Sequence, residues 1–228
     1  MKEWLKEKFG EITLKTILAS LLFFISIFIF SFLAHEIVQE DELWFDEKAF
    51  TFFTSTATPS FNSLMKSISV FGASYFLFPA YVIIIVWLLV KRKKNDAINL
   101  AIIGSSSFVL LHILKRIFQR NRPHLPLFED LKNYSFPSGH AVSSFVFCSA
   151  LIVLIWKGGL PRGWKWFLSI FLLFFSVLVG ISRIALRYHY ASDVLAGFCF
   201  GFAWVFLFFF VANKISEKRL NKPEDGLE

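Results

Sequence analysis

Charge is scarce in this chain of 228 residues: 18% are Asp, Glu, Lys or Arg, where a soluble domain carries about 25%. Cysteine is scarcer still, with two in all. Both Cys148 and Cys199 fall inside apolar runs and read as small buried hydrophobes. They exclude a disulfide framework, and no His or Cys spacing of a metal site accompanies them. Acidic residues number 17 against 24 basic ones, a net charge of +7. That excess would fit a nucleic-acid partner only if it formed a basic soluble face, and no such face is present, so no nucleic acid is expected. Internal repeats and a separate soluble domain are also missing, so residues 1–228 read as one membrane-embedded domain.

What is abundant is apolar sequence. Hydrophobic residues make up 56% of the chain and Phe alone occurs 31 times. The apolar residues come in long runs rather than at core-face spacing. Six runs approach the roughly 20 residues a membrane-crossing helix needs: 14–34, 71–90, 97–114, 141–156, 166–184 and 194–211. A backbone inside lipid must satisfy its own hydrogen bonds, so the expected fold is all-α and polytopic, with six transmembrane helices. The first run is too long for the h-region of a cleaved signal, and Phe32-Leu33-Ala34 lacks a small residue at its first position, so it is expected to remain as an anchor.

Basic residues in short loops set orientation. Fifteen of the 24 fall on one side: before the first span, in "KRKK", in "KGGLPRGWK" and after Asn213. The first loop of the other side, residues 35–70, holds only Lys48 and Lys66 but carries Glu36, Glu40, Asp41, Glu42, Asp46 and Glu47. Both termini are therefore expected in the cytoplasm, with a short frayed tail after Asn213. In the long outer loop, Phe50, Phe53, Ala57, Phe61, Leu64, Met65 and Ile68 recur at spacings of three and four. That is an apolar helical stripe, which Pro59 should divide into two short helices. They are either a lid packed on the bundle or interfacial helices beside a lipid entrance.

Seven basic residues remain on the outer side against the orientation rule: Lys115, Arg116, Arg120, Arg122, Lys132, Arg183 and Arg187. Four of them sit in "KRIFQRNRPH" after the third span and two in "SRIALRYHYASD" between the fifth and sixth. "SFPSGH" leads into the fourth span, so all three stretches meet one membrane surface. Converging cations invite an anion, and the Arg fork suits phosphate oxygens. Ser138-Gly139 opens a helix, whose free N–H groups and positive end point to the same place. His189 and Asp193 are four apart and share a helix face. The carboxylate can fix the imidazole tautomer and leave the other nitrogen free as a nucleophile. His140, at the mouth of the fourth span, can pass a proton to a leaving oxygen. Arg116, Arg120, Arg187 and Lys132 read as solvated or headgroup-facing charges. His124 reads as polar surface, His112 as a hydrogen-bonded histidine and His35 as an interface residue. Gly197 and Gly201 form a small-xxx-small pair for close helix packing.

These stretches resemble the signature of the type 2 phosphatidic acid phosphatase superfamily, which also includes vanadium haloperoxidases. Lys115…Arg122-Pro123, Pro137-Ser138-Gly139-His140 and Ser182-Arg183…His189…Asp193 match its three motifs in order. The resemblance covers roughly residues 50–212 and implies the family's helical core. It implies that Lys115, Arg122 and Arg183 bind phosphate oxygens, with Ser138 and the Gly139 amide adding hydrogen bonds. It implies that His189 attacks phosphorus to form a phosphohistidine, that Asp193 orients His189, and that His140 protonates the leaving group and then activates water. No metal and no cofactor are implied. The substrate implied is a membrane lipid phosphate: phosphatidylglycerophosphate or phosphatidic acid, alternatively undecaprenyl pyrophosphate. A lipid-phosphate binder or transporter would need the cradle without the two histidines, and a phosphotransferase would share the intermediate. The expected place is the cell membrane, with the site on the extracellular or periplasmic side.

Overall fold

The computed structural model describes residues 14–39, 43–123, 127 and 133–220. Among them every regular element is a helix: α1 (Leu14–Gln39), α2 (Trp44–Thr56), α3 (Pro59–Val70), α4 (Ser74–Val90), α5 (Lys94–Phe118), α6 (Gly139–Lys157), α7 (Arg162–Ala185) and α8 (Ala191–Leu220). Three groups of residues named above lie outside the described residues: the first basic cluster up to Lys8, Glu40–Glu42, and His124 with Lys132.

Helix α6 is central. It packs on α5, α7 and α8, while α1 lies along α8 and α4 along α5. Val142, Val146 and Ala150 of α6 meet Leu88, Leu100, Ile103 and Leu111 in one buried cluster. The outward faces are apolar too: Phe24 and Phe28 of α1 are 67% and 72% exposed. A hydrocarbon solvent covers such a surface without cost, which water does not.

Among the described residues, five helices are long and apolar enough to cross a membrane: α1, α5, α6, α7 and α8. The second expected span is the exception. It begins only at Ser74, and its 17 residues span about 25 Å, short of the ~30 Å hydrocarbon core. A sixth crossing requires α3 and α4 together, and they meet at a 40° bend. The bend has a packing cause. A Cβ at Gly72 would lie 2.5 Å from Val179 Cγ1 and 3.0 Å from His140 Cδ2, so α7 and the His140 ring press directly on backbone there. At the other end of the chain, α8 stays helical to Leu220, well past the expected fraying point at Asn213.

The two short helices α2 and α3 form as their sequence demands. Thr58 caps α3, its hydroxyl accepting from Phe61 N–H at 3.1 Å, with Pro59 as the first helical residue. Met65, Phe53, Phe61 and Ile68 pack on Ala185, Leu186 and Tyr188 at the end of α7. Trp44, Phe52 and Leu64 face outward, at 70%, 61% and 56% exposure. Most of the stripe is thus packed on the bundle, while Leu64 and the neighbouring Trp44 and Phe52 are turned outward. At the small pair, a Cβ on Gly197 would stand 3.0 Å from Ser138 O, and one on Gly201 3.2 Å from Phe145 Cδ1, so α8 seats closely against α6.

Candidate active site

The end of α5 delivers the first cation. Lys115 lies in its last turn, where the negative helix end favours it. Its ammonium donates to the Tyr134 carbonyl and, at 3.3 Å, to that of Ser135. Gln119 then takes a left-handed φ of 46° and turns the chain out of the helix. Arg122 follows. Its Nε donates to Asn133 O at 2.8 Å, its Nη1 to Tyr188 O at 2.5 Å and its Nη2 to the Asn133 side chain.

Ser138 caps α6. Its hydroxyl accepts a long 3.5 Å contact from Ala141 N–H, and its own N–H donates to Asp193 O at 3.0 Å. Gly139 and His140 open the helix, where backbone N–H groups have no intrahelical acceptor. Gly139 sits beside Lys115, since a Cβ there would be 3.9 Å from Lys115 Cε. His140 is half-buried, and the charges of Arg183, Arg122 and Lys115 act on its ring along with His189.

Arg183, near the end of α7, is buried at 5% exposure. It donates to Ser69 Oγ at 2.6 Å and lies 4.2 Å from the Tyr188 ring centroid, a cation–π contact. The chain then turns through Arg187, whose φ of 56° is rare outside glycine. The Tyr188 and His189 N–H groups both fold back onto Arg183 O, at 2.9 and 3.2 Å. That turn puts His189 immediately before α8 and within reach of its first turn.

His189 is 1% exposed and Asp193 is wholly buried. His189 Nδ1 is 3.2 Å from Asp193 Oδ2, which also accepts from Tyr190 N–H at 3.1 Å. The other ring nitrogen, Nε2, faces Arg122 Nη1 at 3.3 Å. Burial first, then the positive charges of Arg122, Lys115 and Arg183, push the imidazole well below its ordinary 6.5, opposed by the Ser135 backbone. It is therefore neutral near pH 7, with a lone pair free at Nε2 when Nδ1 carries the proton toward Asp193. Burial also lowers Arg122 to about 10, with Asp193 and Tyr188 opposing, and the guanidinium stays cationic at neutral pH.

All eight residues singled out by motif thus gather at one end of the bundle: His189, His140, Asp193, Lys115, Arg122, Arg183, Ser138 and Gly139. Among the described residues, no three His, Cys, Asp or Glu side chains gather as a metal would require. The gathered groups can bind three oxygens of a tetrahedral anion, attack it from one nitrogen and move a proton with another.

One expectation is overturned. Arg120 is not a solvated surface charge: it is 4% exposed. Its Nη1 donates to Asp193 Oδ1 and Ser192 Oγ, each at 2.7 Å, and its Nη2 to Asp46 Oδ2 at 3.1 Å. Asp46, counted above among loop acids, is 0% exposed. Arg116 is exposed as expected, whereas the half-buried Arg187 donates to Thr54 Oγ1 at 2.5 Å. His112 is exposed and bonds the Phe108 carbonyl of its own helix at 2.8 Å.

The sequence and the fold also resemble those of known proteins. Residues 96–217 match the model of the PAP2 superfamily. The chain is 32% identical over 162 residues to phosphatidylglycerophosphatase B of Bacillus subtilis (strain 168), across 70% of this chain and 77% of that protein. It is 28% identical over 172 residues to an undecaprenyl-diphosphatase of Sulfolobus acidocaldarius, across 73% and 77%. The crystal structure of a transmembrane PAP2 type phosphatidylglycerolphosphate phosphatase from Bacillus subtilis superposes with a TM-score of 0.74 at 30% identity, over 89% of this chain and 98% of that one. The chain is a multi-pass membrane protein with this helical fold, and it belongs to the PAP2 superfamily.

Proposed function

We propose that this membrane lipid phosphatase cleaves its substrate through a phosphohistidine on His189, with His140 as the proton carrier. One observation carries the reading. His189 is held by Asp193 on one nitrogen, while the other faces Arg122 in a pocket of cations. Burial and three nearby positive charges keep this imidazole neutral, with the Nε2 lone pair available to an electrophile held by the same cations.

The Nε2 lone pair attacks phosphorus while Lys115, Arg122 and Arg183 hold the equatorial oxygens. The bond from phosphorus to the leaving oxygen breaks, and that oxygen takes the proton of His140. The new imidazolium keeps its Nδ1 proton, and Asp193 balances its charge. Water then attacks phosphorus, gives its proton to His140 and releases inorganic phosphate as the N–P bond breaks. Gly139 and His140 lend helix N–H groups to the same anion.

The site lies at the end of apolar helices, so the substrate is amphiphilic: its phosphate reaches the cations and its chains stay in the bilayer. Phosphatidylglycerophosphate or phosphatidic acid is the first reading, in line with the B. subtilis relative. Undecaprenyl pyrophosphate, cut to the monophosphate, is the second, in line with the S. acidocaldarius relative. The excess of basic residues at the opposite end of the bundle supports a cell-membrane protein with its site on the outer face.

The test is phosphate release from these three lipids in detergent with EDTA present, comparing wild type with His189→Ala. Release that survives EDTA and disappears in the variant supports the mechanism, and the ranking names the substrate. Equal release by the variant overturns it.

A further inference from the structure

Three groups behind the dyad, Arg120, Ser192 and Asp46, form a closed polar ring that the mechanism above does not use. Arg120 Nη1 donates to Ser192 Oγ at 2.7 Å, Ser192 Oγ donates to Asp46 Oδ2 at 2.7 Å, and that oxygen also accepts from Arg120 Nη2 at 3.1 Å. The Ser192 N–H adds a 2.8 Å bond to Asp46 Oδ1. Arg120 Nη1 then reaches Asp193 Oδ1 at 2.7 Å, and the Tyr190 ring lies 3.9 Å from the guanidinium carbon. Asp46, Ser192 and Asp193 are all 0% exposed.

From this we infer that Asp46 and Arg120 are positioning residues for the reaction: they set the orientation and effective charge of Asp193, and through it the basicity of His189. The inference rests on His189 being the nucleophile. The two oxygens of Asp193 are divided. Oδ1 takes Arg120, and Oδ2 takes His189 Nδ1 and the Tyr190 N–H, so the carboxylate cannot rotate. Arg120 alone would draw off the charge that has to balance the imidazolium. Asp46 supplies a second negative charge to the guanidinium, so Arg120 fixes Asp193 in place while its charge is shared with another acid. Asp46 sits in the first turn of α2, on the outer membrane-surface segment, so a helix outside the six-run pattern takes part in the catalytic geometry. Buried pairs of this kind are poor stabilisers compared with apolar packing, which argues for a role other than holding the fold.

The test uses the full chain in detergent with Asp46→Asn, Ser192→Ala, Asp193→Asn and the double variant Asp46→Asn/Asp193→Asn. Readouts are kcat, KM, the acid limb of kcat/KM and thermal stability, with His189→Ala as the control. The groups acting on His189 are Arg122, Asp193, Lys115, Arg183 and His140, and all are left intact in the Asp46 and Ser192 variants. We expect Asp46→Asn to lower kcat by roughly 10- to 100-fold, with KM within about threefold, and to move the acid limb to lower pH. Asp46→Asn should cost almost nothing more once Asp193 is Asn, because it acts through that carboxylate. Three results overturn the inference: unchanged kcat in Asp46→Asn, a full additional loss in the double variant, or lost stability with an unmoved pH profile. If neither Asp46→Asn nor Ser192→Ala yields folded protein, the ring is a folding element and the inference also fails. An active His189→Ala enzyme sinks the nucleophile assignment instead, a result the other variants cannot mimic.

Discussion

His189 Nδ1 and Asp193 Oδ2 are 3.2 Å apart across one turn at the start of α8, and both side chains are closed to solvent. The carboxylate meets the imidazole at Nδ1. It sits behind it, leaving Nε2 toward Arg122 and the other cations. Replacing His189 with Ala is expected to lower kcat by roughly 10³-fold or more. Asp193→Asn keeps the shape but loses the charge that balances the imidazolium, and about 100-fold or more should be lost. Steady-state phosphate release checks both, and acid-labile labelled phosphate should be trapped on wild type and absent from His189→Ala.

His140 should separate substrates by leaving group. An alkoxide from a lipid needs a proton as the bond breaks, whereas nitrophenolate does not. In His140→Ala the lipid reaction is expected to fall by roughly 10²- to 10⁴-fold. With 4-nitrophenyl phosphate the first step should persist, giving a burst of one nitrophenol per enzyme before the phosphohistidine stalls for want of a base. Stopped-flow absorbance reads the burst directly, and its absence would remove His140 from the acid–base role.

The pH dependence follows from the depressed His189. The unfolded chain holds an imidazole with an ordinary value near 6.5, so on acidification the unfolded state takes up the proton first. The stability contribution is complete above that value and is lost as pH falls below it toward the folded value. Melting temperature measured from pH 7.5 down to 5 should decline more steeply for wild type than for His189→Gln. Activity should show its acid limb in the same direction, below pH 6.5, as the nucleophile becomes protonated.

Gly72, buried in the bend between α3 and α4, should resist substitution. Alanine there needs the Val179 side chain, 2.5 Å from the new Cβ, to move, and the His140 ring stands at 3.0 Å. Overpacking of this kind costs about 1–3 kcal/mol. Gly72→Ala is therefore expected to lower both melting temperature and kcat. Gly163→Ala, where a Cβ would meet nothing within 4 Å, should change neither.

Local pattern made much of this readable. The long apolar runs locate the spans because lipid forces the backbone into helices. Thr58-Pro59 marks the α3 start through a cap and a fixed φ. The three motif stretches could be brought to one surface by counting crossings. What escaped was set by distance along the chain. Arg120 looks like its exposed neighbour Arg116, and only its partners distinguish them: Asp193 lies 73 residues on and Asp46 lies 74 residues back. Asp46 carries the same sequence signal as Glu47 beside it, yet one is buried and the other exposed. Hydropathy also extended the second span to Phe71, because it registers apolar character and not the crowding at Gly72 that bends the chain.

The ring around Arg120 has a consequence for biogenesis. Asp46 leaves the ribosome long before Arg120, and Ser192 and Asp193 come later again. Until α5 is inserted, the carboxylate of Asp46 has no cation to meet and must stay hydrated. The buried partners that Asp46 has in the finished fold, Arg120 and Ser192, are therefore absent while the first part of the chain is made. The full set of partners of Asp46 is complete only when the start of α8 arrives, so Asp193 and His189 are set in place by the same closure that brings the ends of the bundle together.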